Sequence, residues 1–224
     1  CPCESGLTFE EAKRLVSIVA DEAKGKILVS TTALFDSLEQ NMEMLKHAEK
    51  VGCQTVLLGY PPNYFPKTPD AAFQDYQEMA EAAPDVGIVL YPSHKCNFER
   101  FHPCGFPFDI IERMVNLPNA VAIEIAILEP GFIFECFRRF GTKILAHCPW
   151  ERWLPLLHHQ YGQQFMGPGP YEAFQSPEKP YLVDYFNCLM KKQTDKAMEI
   201  YWKLTPARMM FEKQLMPTVG LGTY

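Results

Sequence analysis

The chain has 224 residues, 47% of them hydrophobic and 21% charged, the balance of a globular protein with one well-formed core. A formal charge of -6 and a pI near 5.6 leave no basic stripe to neutralise phosphates, which excludes nucleic acid as the main partner. No run of about 18 apolar residues occurs, so neither a membrane-spanning helix nor a membrane partner is expected.

The opening segment, Cys1-Pro-Cys-Glu-Ser-Gly-Leu-Thr8, reads as a strand-to-helix loop, and no signal-peptide pattern precedes it. Thr8 reads as an N-cap, with Glu10 and Glu11 in the first turn and Ala12, Leu15, Val16 and Val19 at helical spacing. Lys26-Ile-Leu-Val-Ser30 is predicted as a strand. Ser37 starts the next helix, which runs through Met42, Leu45 and Ala48 and stops at Gly52. Further strands are predicted at 55–59, 87–91, 120–124, 143–147 and 164–167, alternating with helices at 68–83, 108–116, 129–140 and 150–161. Helices near 179–192 and 195–214 follow without strands.

The strand runs are continuously apolar, as suits strands buried on both faces of a parallel sheet, and their alternation with helices predicts a parallel α/β fold. Both a doubly wound sheet and a (β/α)8 TIM barrel fit this pattern. The barrel is favoured because the unusual residues all follow strand C-terminal ends, where barrels place their sites. No Gly-x-Gly-x-x-Gly turn follows any strand, which weakens a dinucleotide-binding reading. A barrel needs eight strands, so the natural protein is expected to carry residues before Cys1 that supply the first two. Residues 1–175 are read as the barrel portion and 176–224 as extra C-terminal helices.

Eight cysteines, Cys1, Cys3, Cys53, Cys96, Cys104, Cys136, Cys148 and Cys188, lie mostly in apolar segments as small hydrophobes. A chain of this size needs no disulfide framework, so a reducing, cytoplasmic setting is predicted. No second Cys/His pair at zinc-finger spacing accompanies Cys1 and Cys3, and neither a metal nor a cofactor is expected.

Glu124 ends the apolar strand Ala120-Val-Ala-Ile-Glu124. Charge burial without compensation is costly, so this carboxylate either pairs structurally with Lys95 or an arginine, or serves as a general acid or base. Tyr91 ends another strand and is either a core aromatic or a proton relay. His147 and Cys148 end the next. His147 suits acid–base work, and the alternative is a satisfied strand-end histidine. His94 and Lys95 lie in a long loop beside Arg100 and His102, as binders of a substrate carboxylate or as solvated loop residues. Gly167-Pro-Gly-Pro-Tyr171 reads as a rigid pocket wall in which glycine permits close backbone approach.

The run Met44-Leu-Lys-His-Ala-Glu-Lys-Val-Gly-Cys-Gln-Thr-Val-Leu-Leu-Gly-Tyr-Pro-Pro-Asn-Tyr-Phe65 resembles the dihydrodipicolinate synthase / N-acetylneuraminate lyase family. Gly87-Ile-Val-Leu-Tyr-Pro92 is similar to its fifth-strand motif, Leu117-Pro-Asn-Ala-Val-Ala-Ile-Glu124 to its "LPNIVGIK" sixth strand, and Leu7-Thr-Phe-Glu-Glu11 to its "LTxEE" helix start. The resemblance implies a (β/α)8 barrel with extra C-terminal helices, assembled as a homodimer or homotetramer. It implies lyase chemistry on a 2-keto acid through a Schiff base, without a cofactor. It also implies that Tyr91 relays protons and that Tyr64 is the tyrosine that reaches across the dimer. Glu4 and Ser5 stand in the loop that binds the substrate carboxylate, and Glu124 stands where the imine-forming lysine is expected. A glutamate cannot form an imine with a ketone. Lys95 is the alternative imine former, whereas Lys143 stands at the opposite strand end. The leading expectation is a divergent lyase of the aldolase/hydro-lyase class acting on a small oxo-acid-like substrate. Glu124 is then the general base, Tyr91 the relay, and His147 or Lys95 the polarising or anion-binding partner. The alternative is a non-catalytic barrel that binds a small molecule or a protein partner.

Overall fold

The computed structural model describes residues 6–96, 98–164, 174–211 and 213, with the Lys95 side chain also outside the description. The chain divides into two compact units, Cys1–His147 and Cys148–Tyr224.

The first unit repeats helix and strand. Helix α1 (Phe9–Ala23) begins in a capping box, in which Thr8 accepts from the Glu11 amide and the Glu11 carboxylate accepts from the Thr8 amide at 2.8 Å. Its buried face is Ala12, Val16, Ala20 and Ala23. Strand β1 (Ser30–Ala33) leads to α2 (Leu38–Val51), capped by Ser37 and ended by Gly52 at φ +88°, a left-handed conformation that glycine adopts without a Cβ penalty. Strand β2 (Thr55–Leu58) precedes α3 (Pro69–Glu81), whose cap Thr68 is followed by Pro69, pre-set for a first helical turn. Strand β3 (Gly87–Leu90), a 3-10 turn (His94–Cys96) and α4 (Phe108–Val115) come next. Strand β4 (Ala120–Glu124), α5 (Pro130–Phe140) and β5 (Leu145–His147) complete the unit.

All five strands are parallel and lie in the order β1-β2-β3-β4-β5. A doubly wound sheet reverses its strand order at a switch point, and no reversal occurs among the described strands, so their winding is that of a (β/α) barrel. Side chains alternate across each strand. Ala33, Leu58, Leu90 and Ile123 share one fully buried layer. Removing each large side chain of that layer from water contributes about 1.5–3 kcal/mol. Thr32, Leu57, Val89, Ala122 and Leu145 form the opposite face.

The second unit is helical, with a 3-10 turn (Glu151–Trp153), α6 (Leu154–Tyr161), α7 (Tyr181–Met190), α8 (Thr194–Lys203) and α9 (Thr205–Met210). Leu154, Phe174, Leu182, Tyr185, Leu189, Ala197 and Leu204 make its core. Beside that core Arg208 donates to both carboxylate oxygens of Glu151, at 2.6 and 2.9 Å, and both side chains are buried. No described helix is long and apolar enough to cross a membrane.

The first strand departs from the sequence reading. It spans Ser30–Ala33 rather than 26–30, and Ile27 and Leu28 are 72% and 82% exposed. Lys26 and Ile27 donate to the Ala23 carbonyl, which extends the helix end, and pairing starts only where Gln54 takes the Val29 amide and carbonyl. The fifth strand begins at Leu145 because Lys143 and Ile144 still close the end of α5 on Phe140. The predicted helix 195–214 is interrupted at Leu204, with Pro206 in the first turn of the segment that follows. The predicted strand 164–167 lies outside the described residues apart from Gln164, and so do Cys1, Cys3 and the 167–171 turn.

Candidate active site

Three polar side chains stand at one level at the C-terminal strand ends, and two of them, Glu124 and His147, are in contact. Glu124 of β4 pairs in register with His147 of β5. Val89 of β3 pairs with Ala122, and Ser93 bridges Ala126, so Tyr91 falls at the level of Glu124. Strand alternation places Tyr91, Glu124 and His147 on one face, directly above Val89, Ala122 and Leu145. The His147 Nε2 atom lies 3.2 Å from Glu124 Oε2, and the two residues are 2% and 8% exposed. The Ile125 amide donates to the His147 carbonyl at 2.8 Å, which fixes the register just beyond the pair. A carboxylate and an imidazole at this distance in a largely dry setting interact more strongly than in water.

Close packing shapes the adjoining half of the face. A Cβ at Gly59, just past β2, would lie 2.3 Å from Leu34 Cδ2 and 3.2 Å from Tyr91 Cδ1. Only a glycine lets Leu34 and Tyr91 approach from both sides. Asn41 of α2 holds this corner from behind. Its Oδ1 accepts from the Phe35 amide at 2.7 Å and its Nδ2 donates to the Gly59 carbonyl at 3.1 Å, with the residue fully buried. The sequence reading missed Asn41. Its only signal is a polar residue on the apolar face of α2.

The remaining expected residues take other positions. The Tyr64 hydroxyl donates to Asp75 of α3, and its ring stacks on Tyr60 at 4.8 Å and 7°. Burial, then the Asp75 carboxylate, push the Tyr64 hydroxyl well above its ordinary range, so it keeps its proton. The His94 ring lies against Gly105, its Nδ1 3.2 Å from where a Cβ would stand, and Gly105 itself has φ +82°. Arg100 donates to the Pro66 carbonyl and lies 4.4 Å from the Phe101 ring centroid. The Nδ1 of His102 accepts from the Cys104 amide at 3.2 Å. These three side chains thus hold the β3–α4 loop. Lys143 faces Glu112 at 3.6 Å, before β5 begins. Glu4, Ser5 and Gly167 lie outside the described residues, as does the Lys95 side chain. Among the described residues, no group of three or more His, Cys, Asp or Glu side chains is arranged to hold a metal ion.

Comparisons with known proteins agree on the family. The sequence profile of the Dihydrodipicolinate synthetase family matches residues 4–144. A 4-hydroxy-tetrahydrodipicolinate synthase from Thermus thermophilus is 30% identical over 151 residues, covering 64% of this chain and 46% of that protein. The chain spans about half the length of the curated relatives it matches. Among solved structures, a dihydrodipicolinate synthase from Oceanobacillus iheyensis superposes with a TM-score of 0.75 at 20% identity, covering 92% of this chain and 65% of the other. An N-acetylneuraminate lyase from Fusobacterium nucleatum superposes with a TM-score of 0.76 at 14% identity, covering 95% and 69%. The fold is therefore of the TIM-barrel type.

Proposed function

The chain belongs to the dihydrodipicolinate synthetase family, and from that premise we propose that it is a lyase of the aldolase/hydro-lyase class in which Glu124 is the general base. The substrate is a small oxo-acid-like compound, and no Schiff base forms at residue 124. The observation that carries this reading is the Glu124–His147 contact of 3.2 Å at the strand ends, beside Tyr91. A side chain without an amine cannot condense with a ketone, but a carboxylate can remove a proton from the carbon next to a carbonyl. The C–H electron pair moves into the carbonyl, giving an enolate whose oxygen takes a hydrogen bond from Tyr91. Glu124 holds the proton, with His147 orienting the carboxylate, and returns it when the cycle closes. The described cysteines are all free, which supports a reducing, cytoplasmic setting. Assembly as a homodimer or homotetramer follows the family habit and belongs to the same proposal.

The test is exchange of the methyl protons of 2-oxo probes for deuterium, followed by NMR, together with borohydride trapping weighed by intact mass. The expected result is exchange by the wild type, a loss of at least about a hundredfold in Glu124→Gln, as for a general base, and no trapped adduct. Full exchange in Glu124→Gln removes its role as base. An adduct on Lys95 restores imine chemistry at another residue. No exchange and no adduct with any probe favours the non-catalytic alternative.

A further inference from the structure

We infer that Asn41 is a positioning residue of this site: its carboxamide is inserted into the C-terminal end of the β1–β2 ladder, and the spread backbone seats Leu34 and Gly59 against the ring of Tyr91. The inference rests on the reading of Tyr91 as the proton relay and deepens the account of the same site.

The frame of the ladder reveals the insertion. In a parallel pair, a residue donates its amide to one residue of the neighbouring strand and accepts at its carbonyl from the amide two residues further along that strand. The Thr55 amide donates to the Val29 carbonyl at 3.5 Å, and the Gly59 amide to the Ala33 carbonyl at 3.3 Å. The next rung in this frame runs from the Phe35 amide to the Gly59 carbonyl. Asn41 stands in that rung. Its Oδ1 accepts from the Phe35 amide at 2.7 Å, and its Nδ2 donates to the Gly59 carbonyl at 3.1 Å. An N–H needs an oxygen and a carbonyl needs an N–H, so the two partners fix which way the carboxamide faces. A carboxamide offers the same donor and acceptor as a peptide group. It satisfies both backbone groups while holding the two chains wider apart than a direct rung would.

The surroundings hold this wedge in place. Leu34, Phe35, Asn41 and Gly59 are all buried. The Asp36 amide donates to Gln40 Oε1 at 3.1 Å and the Gln40 amide to Ser37 Oγ at 3.2 Å, so the first turn of α2 grips the whole connection from β1. The Phe35 ring meets Phe9 of α1 edge-on at 4.9 Å. On the far side of the wedge Leu34 covers Gly59, and Tyr91 Cδ1 lies 3.2 Å from where a Gly59 Cβ would stand. A shift of the Gly59 peptide therefore shifts the wall on which the Tyr91 ring rests. Misplacing a reacting group by about 1 Å can cost about a hundredfold in rate.

Asn41→Asp keeps the shape and removes the Nδ2 donor. Ionised, the new carboxylate repels the Gly59 carbonyl. Protonated, it donates its O–H to that carbonyl and still accepts from Phe35. Acidification should therefore restore the wild-type arrangement, which separates positioning from a general loss of packing. With 3-fluorotyrosine incorporated, the Tyr91 resonance is assigned by its loss in Tyr91→Phe and followed by fluorine NMR. In Asn41→Asp it is expected to stand away from the wild-type position at alkaline pH and to rejoin it as the pH falls. Relative to wild type at the same pH, kcat for methyl-proton exchange on pyruvate should fall about tenfold to a hundredfold at alkaline pH, with KM within about twofold, and recover together with the resonance. A Tyr91 resonance that coincides with wild type at every pH overturns the inference whatever the activity. A second measurement needs no variant. Coupling across the hydrogen bond should link the Phe35 amide nitrogen to the Asn41 side-chain carbonyl carbon, and a coupling to the Gly59 carbonyl carbon in its place reveals an ordinary rung and overturns the inference. A displaced resonance with exchange unchanged in Tyr91→Phe keeps the wedge and sinks the relay. Exchange lost in Tyr91→Phe with an undisplaced resonance in Asn41→Asp keeps the relay and sinks the inference.

Discussion

Adding one methyl group at Gly59 probes the packing that shapes the site. The backbone of Gly59 is not left-handed, so alanine there suffers no backbone strain and restricts the unfolded chain, which alone stabilises by about 0.4–1 kcal/mol. Packing acts in the opposite direction. The new Cβ would stand 2.3 Å from Leu34 Cδ2, more than an ångström inside ordinary contact, and 3.2 Å from Tyr91 Cδ1. Overpacking of this kind costs about 1–3 kcal/mol. Gly59→Ala is therefore expected to lose about 0.5–2 kcal/mol net. Leu34→Ala alone empties a buried site and costs about 2–5 kcal/mol. In the double variant the methyl enters the space that Leu34 vacates, so the two changes together cost about 1–2 kcal/mol less than their sum. Urea denaturation of the four proteins closes the cycle. A coupling energy within experimental error of zero, or a Gly59→Ala protein more stable than the wild type, would falsify this account of the corner.

Two further outcomes concern charge. Arg208→Met leaves Glu151 buried without its bidentate partner and should destabilise by about 3–5 kcal/mol, whereas Glu151→Leu combined with Arg208→Met should recover most of the loss. Denaturation midpoints decide this, and a near-neutral Arg208→Met shows that the pair is not buried as described. Glu135 is held at about 2 by hydrogen bonds from Arg138 and Arg139, so its folded pKa lies below its unfolded one. Its contribution to stability is then present above the unfolded pKa, about 4.5, and is lost as pH falls toward 2. An NMR titration of the Glu135 carboxyl carbon with a midpoint near 4.5 contradicts this.

The helices were legible because their signals are local. Thr8, Ser37 and Thr68 cap α1, α2 and α3 as their side chains suggest, and Gly52 ends α2 in the conformation that glycine favours. Strands were less legible because apolarity reports burial, whereas a strand is defined by its partner. Lys26-Ile-Leu-Val-Ser30 looks like a strand, yet the ladder belongs to Ser30–Ala33, with two threonines, because those residues align with Thr55–Leu58. The strand-end positions of Tyr91, Glu124 and His147 could be read from the parallel pattern alone. That Glu124 faces His147 could not, since register across strands is set by hydrogen bonds between distant segments. Asn41 and Asp75 escaped for the same reason, because their partners lie 18 and 11 residues away.

The identity of the residue beside Glu124 matters more than the fact of its being paired. From sequence, the structural alternative paired Glu124 with Lys95 or an arginine, and among the described side chains the neighbour is His147. An arginine would hold a permanent charge against the carboxylate and keep it ionised as a structural anchor. A lysine beside the same strand end would offer an amine for imine chemistry. An imidazole does neither. It carries two ring nitrogens, one of them 3.2 Å from the Glu124 carboxylate. A carboxylate anchored by guanidinium would suit a barrel that only binds, whereas a carboxylate against imidazole suits the general-base role proposed for Glu124. For this reason the contact between β4 and β5 bears more on whether the chain is an enzyme than the absence of a lysine at residue 124.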